Sequence, residues 1–268
     1  MKKYIFFILI LTVSIPSWGA MKVDVGISTQ AGWFSQAAAD REMQIVADTI
    51  KNKVNDVQIF PPNKQAELAT WVEKHTGNKQ LDILIMCGQF PSTIYKPGNA
   101  QPNDSIAEKF LEDGNMILNT GDYMFYVVDG AGTNAAGGLQ NMMDIPAITM
   151  WDDNTAIEIT PEGKKYMPTL QDYTTDRPWH LNELVKPWIA EVIFGKNAAG
   201  TRAEPAVILD EKTNGRLVTI YQTAGQDADP RGKVISEFIL NRIPTIVKSF
   251  PVDPQDKVAG TWGKIKAE

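Results

Sequence analysis

The chain has 268 residues, 43% hydrophobic and 22% charged, enough for one large α/β domain or two small ones with a proper core. The formal net charge is −6, and no basic run is present to attract a phosphate backbone, which argues against a nucleic-acid partner. Cys87 is the single cysteine, so an internal disulfide is excluded and stability must come from packing.

At the N-terminus, Lys2 and Lys3 precede an apolar run from Ile5 to Ile15, interrupted only by Thr12 and Ser14. Pro16 breaks the run, and the small residues Ser17 and Gly19 stand at −3 and −1 of a cleavage point. The pattern is that of a secretory signal peptide over residues 1–19, with an uncleaved anchor as the competing reading. No cysteine near the cut supports a lipoprotein anchor. Cleavage would remove Lys2 and Lys3 and leave 24 basic against 32 acidic residues, a charge of −8. The remaining chain is expected to be secreted or periplasmic, without stable membrane insertion, which suits a bacterial extracytoplasmic protein.

"KVDVGIST" then reads as a strand ending in small polar residues. A helix follows, with Met43, Val46, Ile50 and Val54 three to four residues apart on one face. "DVQIFPP" is a second strand closed by two prolines. Asn63 is placed to cap the next helix, whose inner face carries Leu68, Trp71, Val72 and His75, with Gly77 as its stop. "LDILIMCG" is a third strand, apolar throughout, as where helices cover both sheet faces. Asp104 to Glu112 is a short helix with Ile106, Phe110 and Leu111 inward, stopped at Gly114; "MILNTG" is the fourth strand and "AITMWDD" the fifth.

The segment from about 154 to 200 is rich in aromatics and prolines and irregular until a helix predicted from about Leu181. Too short for its own core, it reads as an insertion over the sheet edge. "PAVILDEKTNGRLVTIYQT" places two strand-like runs around Asn214-Gly215, a strong hairpin signal. A last amphipathic helix carries Val234, Ile235, Phe238 and Ile239, and the tail 244–268 is expected to pack back through Trp262. Repeated β-α units predict an α/β fold of three layers, a doubly wound and mainly parallel sheet, in a single domain over 20–243.

The succession "LDILIMCGQFP", "FLEDGNMILNTGD", the late hairpin and the helix "DPRGKVISEFILNRI" resembles the class I glutamine amidotransferase-like superfamily, and within it the ThuA-like and secreted members. The resemblance runs from Lys22 to Arg242 in order of elements and implies a flavodoxin-like sheet with a C-terminal β-hairpin. It also implies a cysteine nucleophile at the turn after the fourth strand and a histidine near the C-terminal end. Here that turn holds Asn119, Thr120, Gly121 and Asp122, and neither His75 nor His180 falls near the late hairpin. Glutaminase activity is therefore not expected, since Thr120 has no base at hand.

In a doubly wound sheet, ligands bind where loops converge at the C-terminal strand ends. Gln30 and Trp33 follow the first strand there, Gln89 the third, Asp122 and Tyr123 the fourth, and Gln222 the late hairpin, with Ser28, Gln226, Asp227 and Arg231 on the same rim. Arg177, Trp179 and His180 in "TTDRPWHLNEL" suit the apolar face and hydroxyl rim of a sugar ring, or else seat the insertion on the sheet. Asp122, Asp152 and Asp153, with His180, are the candidates for acid/base chemistry or for holding a metal ion, against the plainer role of loop aspartates as caps. Cys87 closes the third strand, where buried thiols are mostly inert. "DGAGTNAAGG", residues 129–138, has no Walker lysine and reads as a flexible loop or an anion cradle. No spacing supports a metal or a cofactor. The sequence thus points to a secreted protein that kept the fold and lost the nucleophile, binding a small molecule or carbohydrate. The alternative is a carbohydrate-related hydrolase or isomerase working through the carboxylates and His180.

Overall fold

A computed structural model describes residues 20–247; the expected signal peptide, residues 1–19, and Trp262 lie outside the described residues. The first half runs β1 (Met21–Ser28), α1 (Gln36–Ile50), β2 (Val54–Phe60), α2 (Gln65–Lys74), β3 (Ile83–Met86), β4 (Gln89–Phe90), α3 (Ile106–Glu112), β5 (Met116–Asn119), β6 (Val127–Val128) and α4 (Gly137–Met143). The second half runs β7 (Thr155–Ile159), α5 (Pro161–Tyr166), β8 (Tyr173–Thr175), β9 (Trp179–His180), β10 (Trp188–Ile193), β11 (Gly195–Lys196), β12 (Arg202–Ala203), β13 (Ala206–Asp210), β14 (Arg216–Thr219), α6 (Arg231–Asn241) and α7 (Ile243–Val247). Among the described residues, no helix is long and apolar enough to cross a membrane.

The central sheet has seven strands in the order β10-β13-β14-β5-β3-β1-β2. Neighbours from β14 to β2 pair in parallel, whereas β10–β13 and β13–β14 are antiparallel. Counted along the chain, the five parallel strands stand in the order 2-1-3-4-5, the flavodoxin order, whose switch point falls between β1 and β3. Strand periodicity builds the layers. Val23, Val25, Ile27, Ile83, Ile85, Met116 and Leu118 pack with α1 and α6, while Leu84, Met86 and Ile117 pack with α2 and α3. With both faces covered, β3 is apolar at every position and β5 is apolar up to Asn119.

Three elements differ from the sequence expectation. Val54 starts β2, so α1 stops a turn earlier than its apolar spacing suggests. The segment 147–153 is not a strand, although Ile148 and Met150 are buried; the place beside β5 is taken by β14. Residues 181–183 form one 3-10 turn, and the apolar run after Pro187 becomes β10, an edge strand paired with β13. Pro187, inside the stretch read as a helix from Leu181, stops helix propagation. The rest of 154–203 builds a five-stranded sheet, β8-β7-β11-β12-β9, docked on the loop after β14 where Asp176 N–H donates to the Gln222 carbonyl at 3.0 Å.

Candidate functional site

The loops after β1 and β3 are stitched together at the switch point. Gly32 N–H donates to the Cys87 carbonyl at 2.7 Å, and Ala31 bridges Gly88. A Cβ on Gly32 would lie 3.0 Å from the Gly88 carbonyl carbon, a tight contact with backbone that favours glycine here. Above this seam lies a cleft of about 350 Å³ lined by Gly32, Trp33, Gln89, Tyr126, Val127, Gly130 and Gly132. Trp33 is 53% exposed, unusual for so large an apolar group. Gln30 Nε2 donates to Gln89 Oε1 at 3.0 Å, and Gln89 Nε2 donates to the Ala31 carbonyl, which fixes the Gln89 amide at the cleft floor. Gly130 and Gly132 of the glycine-rich loop form one wall, Gly132 lies against Tyr126, and the loop's last two glycines open α4.

The wall behind Tyr126 is aromatic. Tyr123 and Tyr126 have ring centroids 5.4 Å apart, and each meets Trp151 at 5.1 Å. Arg177 lies over Trp151 at 4.9 Å and pairs with Asp122 at 3.1 Å, and also with Asp153. The Asp122 pair is close but not aligned as a hydrogen bond. Burial raises the Asp122 pKa, with the Tyr123 N–H and Arg177 acting against it. Tyr123 itself is 1% exposed and backs the wall rather than lining the cleft.

Asp152 and His180 belong to a second group. His180 Nδ1 lies 2.9 Å from Glu183 Oε1 and 3.2 Å from Thr149 Oγ1, while its Nε2 is 4.0 Å from Asp152 Oδ2. Asp152 is held by Arg202. Burial raises the Glu183 pKa, but hydrogen bonds from His180 and Thr149 outweigh it and leave the carboxyl below its usual value. Both aspartates are thus engaged by arginines.

Three sequence candidates sit deeper than a ligand rim. Trp179 is fully buried; Gln222 is fully buried with its Oε1 accepting from Asn119 Nδ2 at 3.0 Å; Arg231 is 1% exposed beneath the loops after β5 and β14. At the turn after β5, the Thr120 hydroxyl accepts from Arg231 Nη1 at 2.8 Å. Burial pushes the Cys87 thiol up to about 12, leaving almost no thiolate near neutral pH. Tyr126 was missed from the sequence; its only signal is the density of aromatics in "DYMFY".

No protein-family model matches the chain, and no curated protein sequence does. Among solved structures, a Bacteroides uniformis ATCC 8492 protein provisionally designated ThuA-like is similar, with a TM-score of 0.50 at 10% identity. The match covers 89% of this chain and 96% of that one. The likeness is one of fold. It agrees at that level with the ThuA-like resemblance of the sequence segments and carries no site residue across.

Proposed function

We propose that this chain is an extracytoplasmic small-molecule binding protein whose ligand is a neutral, hydroxyl-rich ring such as a sugar. The observation that carries the reading is the cleft at the β1/β3 switch point, where an exposed Trp33 and the fixed amide of Gln89 meet. An indole face suits the apolar face of a sugar, and the Gln89 amide, held by Gln30 and the Ala31 carbonyl, keeps one N–H and one oxygen lone pair for hydroxyls. Purified protein should show a thermal shift with at least one member of a mono- and oligosaccharide panel. A ligand at about 100 times its Kd adds about 2.7 kcal/mol, or roughly 5–10 °C for a domain of this size. Trp33→Ala should abolish the shift and leave the unliganded melting temperature within about 1 °C, because Trp33 is mostly in solvent. A flat response across the panel would remove the carbohydrate assignment.

The same reading includes loss of glutaminase chemistry. Residues 119–122 contain no cysteine, and the Thr120 hydroxyl faces a guanidinium donor instead of a base. Incubation with glutamine should release no ammonia above buffer. The competing reading is a hydrolase or isomerase using Asp122, Asp152 and His180, and its support is the His180–Glu183 pair. The arginines on both aspartates weigh against it, since each occupies a carboxylate that would otherwise face a substrate.

A further inference from the structure

At the opposite edge of the sheet, away from the cleft, the fold brings Asp24, His75 and Asp82 together. Asp24 is on β1, His75 ends α2, and Asp82 directly precedes β3. One ligand atom from each lies within 4.8 Å of the others, and His75 Nε2 is 3.2 Å from Asp24 Oδ2. Asp82 is fully buried, and the side chains of His75 and Asp24 are 5% and 13% exposed.

The His75 ring is locked. It stacks on Trp71 with centroids 4.1 Å apart, and its Nδ1–H donates to the Trp71 carbonyl at 2.7 Å. Trp71 in turn lies flat on β1 because Gly26 has no side chain; a Cβ there would come within 2.7 Å of the indole. With the proton on Nδ1, neutral His75 presents an Nε2 lone pair to a carboxylate oxygen. Two lone pairs at 3.2 Å repel, so a cation must stand between them, either a proton or a metal ion. A divalent ion can accept that Nε2 lone pair and an oxygen of each carboxylate at once, which a proton cannot do.

We propose that Asp24, His75 and Asp82 bind a divalent first-row transition ion, zinc best, with water completing the coordination. An N/O donor set of one imidazole and two carboxylates suits zinc over calcium or magnesium. The 3.2 Å between His75 Nε2 and Asp24 Oδ2 is close to the roughly 3.3 Å between ligand atoms of a tetrahedral zinc site, and the Asp82 oxygen, within 4.8 Å of both, has to move inward to join them. Each ligand also has a neighbour that orients it, as metal ligands do. Asn55 Nδ2 donates to Asp24 Oδ1 at 2.6 Å, Asn78 Nδ2 donates to Asp82 Oδ2 at 2.6 Å, and Asp24 N–H donates to Asp82 Oδ1 at 2.9 Å. The ion would tie the end of α2 to the starts of β1 and β3, independently of anything bound in the cleft.

The test uses the purified full chain, stripped with chelator and dialysed against micromolar zinc. One equivalent of zinc should be retained by elemental analysis, with a rise of several degrees in melting temperature that EDTA reverses. Asp24→Asn should weaken retention by more than about tenfold. Because the chain has two histidines, the His75 ring nitrogens can be followed by ¹⁵N NMR in the unmutated protein. Zinc should shift Nε2 of His75 and leave Nδ1 protonated. An imidazolium signal at His75 that persists in zinc, or zinc retained equally by Asp24→Asn, would identify a plain ion pair and overturn the site.

Discussion

Replacing Arg231 with methionine is expected to lower the melting temperature by roughly 10 °C, the largest effect of any single substitution considered. Arg231 opens α6 and is 1% exposed, yet it carries a full charge. Its guanidinium donates to Thr120 Oγ1 at 2.8 Å, Thr223 O at 3.0 Å, Thr223 Oγ1 at 2.8 Å, Gln226 O at 3.3 Å and the Tyr221 carbonyl, and it pairs with Asp229 at 3.1 Å. It also lies over the Phe34 ring at 4.5 Å. One side chain therefore ties the turn after β5 to the loop after β14 and to the loop leading into α1. Methionine fills much of the volume but leaves the carbonyls of Tyr221 and Thr223 without these donors, in a place water does not reach. Breaking a buried charge network by removing one partner costs about 3–5 kcal/mol. Lysine should recover only part of the loss, because three donors on one nitrogen cannot reproduce a planar fork. Urea titration gives the measurement. Arg41→Met, at a side chain 53% exposed, serves as the control and should stay within about 0.5 kcal/mol of the unmodified protein. A midpoint for Arg231→Met equally close would show that the network contributes nothing.

How much of this was legible beforehand divides along a physical line. The parallel core was readable because burial on both faces writes itself as unbroken apolar runs, as in Ile83–Met86 and the first three residues of β5, Met116, Ile117 and Leu118. The final helix was readable because Val234, Ile235, Phe238 and Ile239 are all buried at helical spacing. Residues 147–153 deceived for the same reason. Ile148 and Met150 are buried, but by the aromatic wall and the second sheet rather than by pairing with β5. Local apolarity reports burial and is silent about the partner. The edge strand β10 was hidden by Pro187, whose effect on a helix is local while its tolerance in an edge strand depends on what lies beside it.

The candidate site was legible as a location and only partly as a residue set. Trp33 and Gln89 follow strands whose order makes them neighbours across the switch point, and both line the cleft. Gln222 and Trp179 were placed at the same edge by the same logic, but depth is a property of the packed loops, which the sequence does not encode locally. Asp24, His75 and Asp82 were harder still. They are 58 residues apart at the extremes, and His75 looked like one more inward residue of a helix. Only the adjacency of β1 and β3 brings Asp24 beside Asp82.

Glu204 should make the protein less stable as pH rises, and Glu204→Gln should remove that dependence. The residue is fully buried between β12 and β13. The backbone N–H groups of Gln222 and Tyr221, with Arg231, favour its charged form, yet neither carboxyl oxygen makes an aligned hydrogen bond. Burial therefore dominates and pushes the carboxyl from its ordinary 4.5 up to about 8. The folded state holds this proton more tightly than the unfolded chain does. The associated stability is fully present below about pH 4.5, declines as the unfolded carboxyl ionises, and is gone above about pH 8. At about 1.4 kcal/mol per pH unit, the upper limit of the decline is about 5 kcal/mol, reduced by whatever relaxation the site allows. Glutamine has the same shape and no proton to lose. Urea midpoints for the two proteins should coincide near pH 4 and separate through neutrality, with Glu204→Gln the more stable at pH 8. The reverse order at pH 8 would mean that Glu204 is ionised and neutralises Arg231. Combining Glu204→Gln with Arg231→Met separates the cases: a neutral Glu204 leaves the cost of losing Arg231 nearly unchanged at pH 7, whereas an ion pair couples the two by more than about 1 kcal/mol.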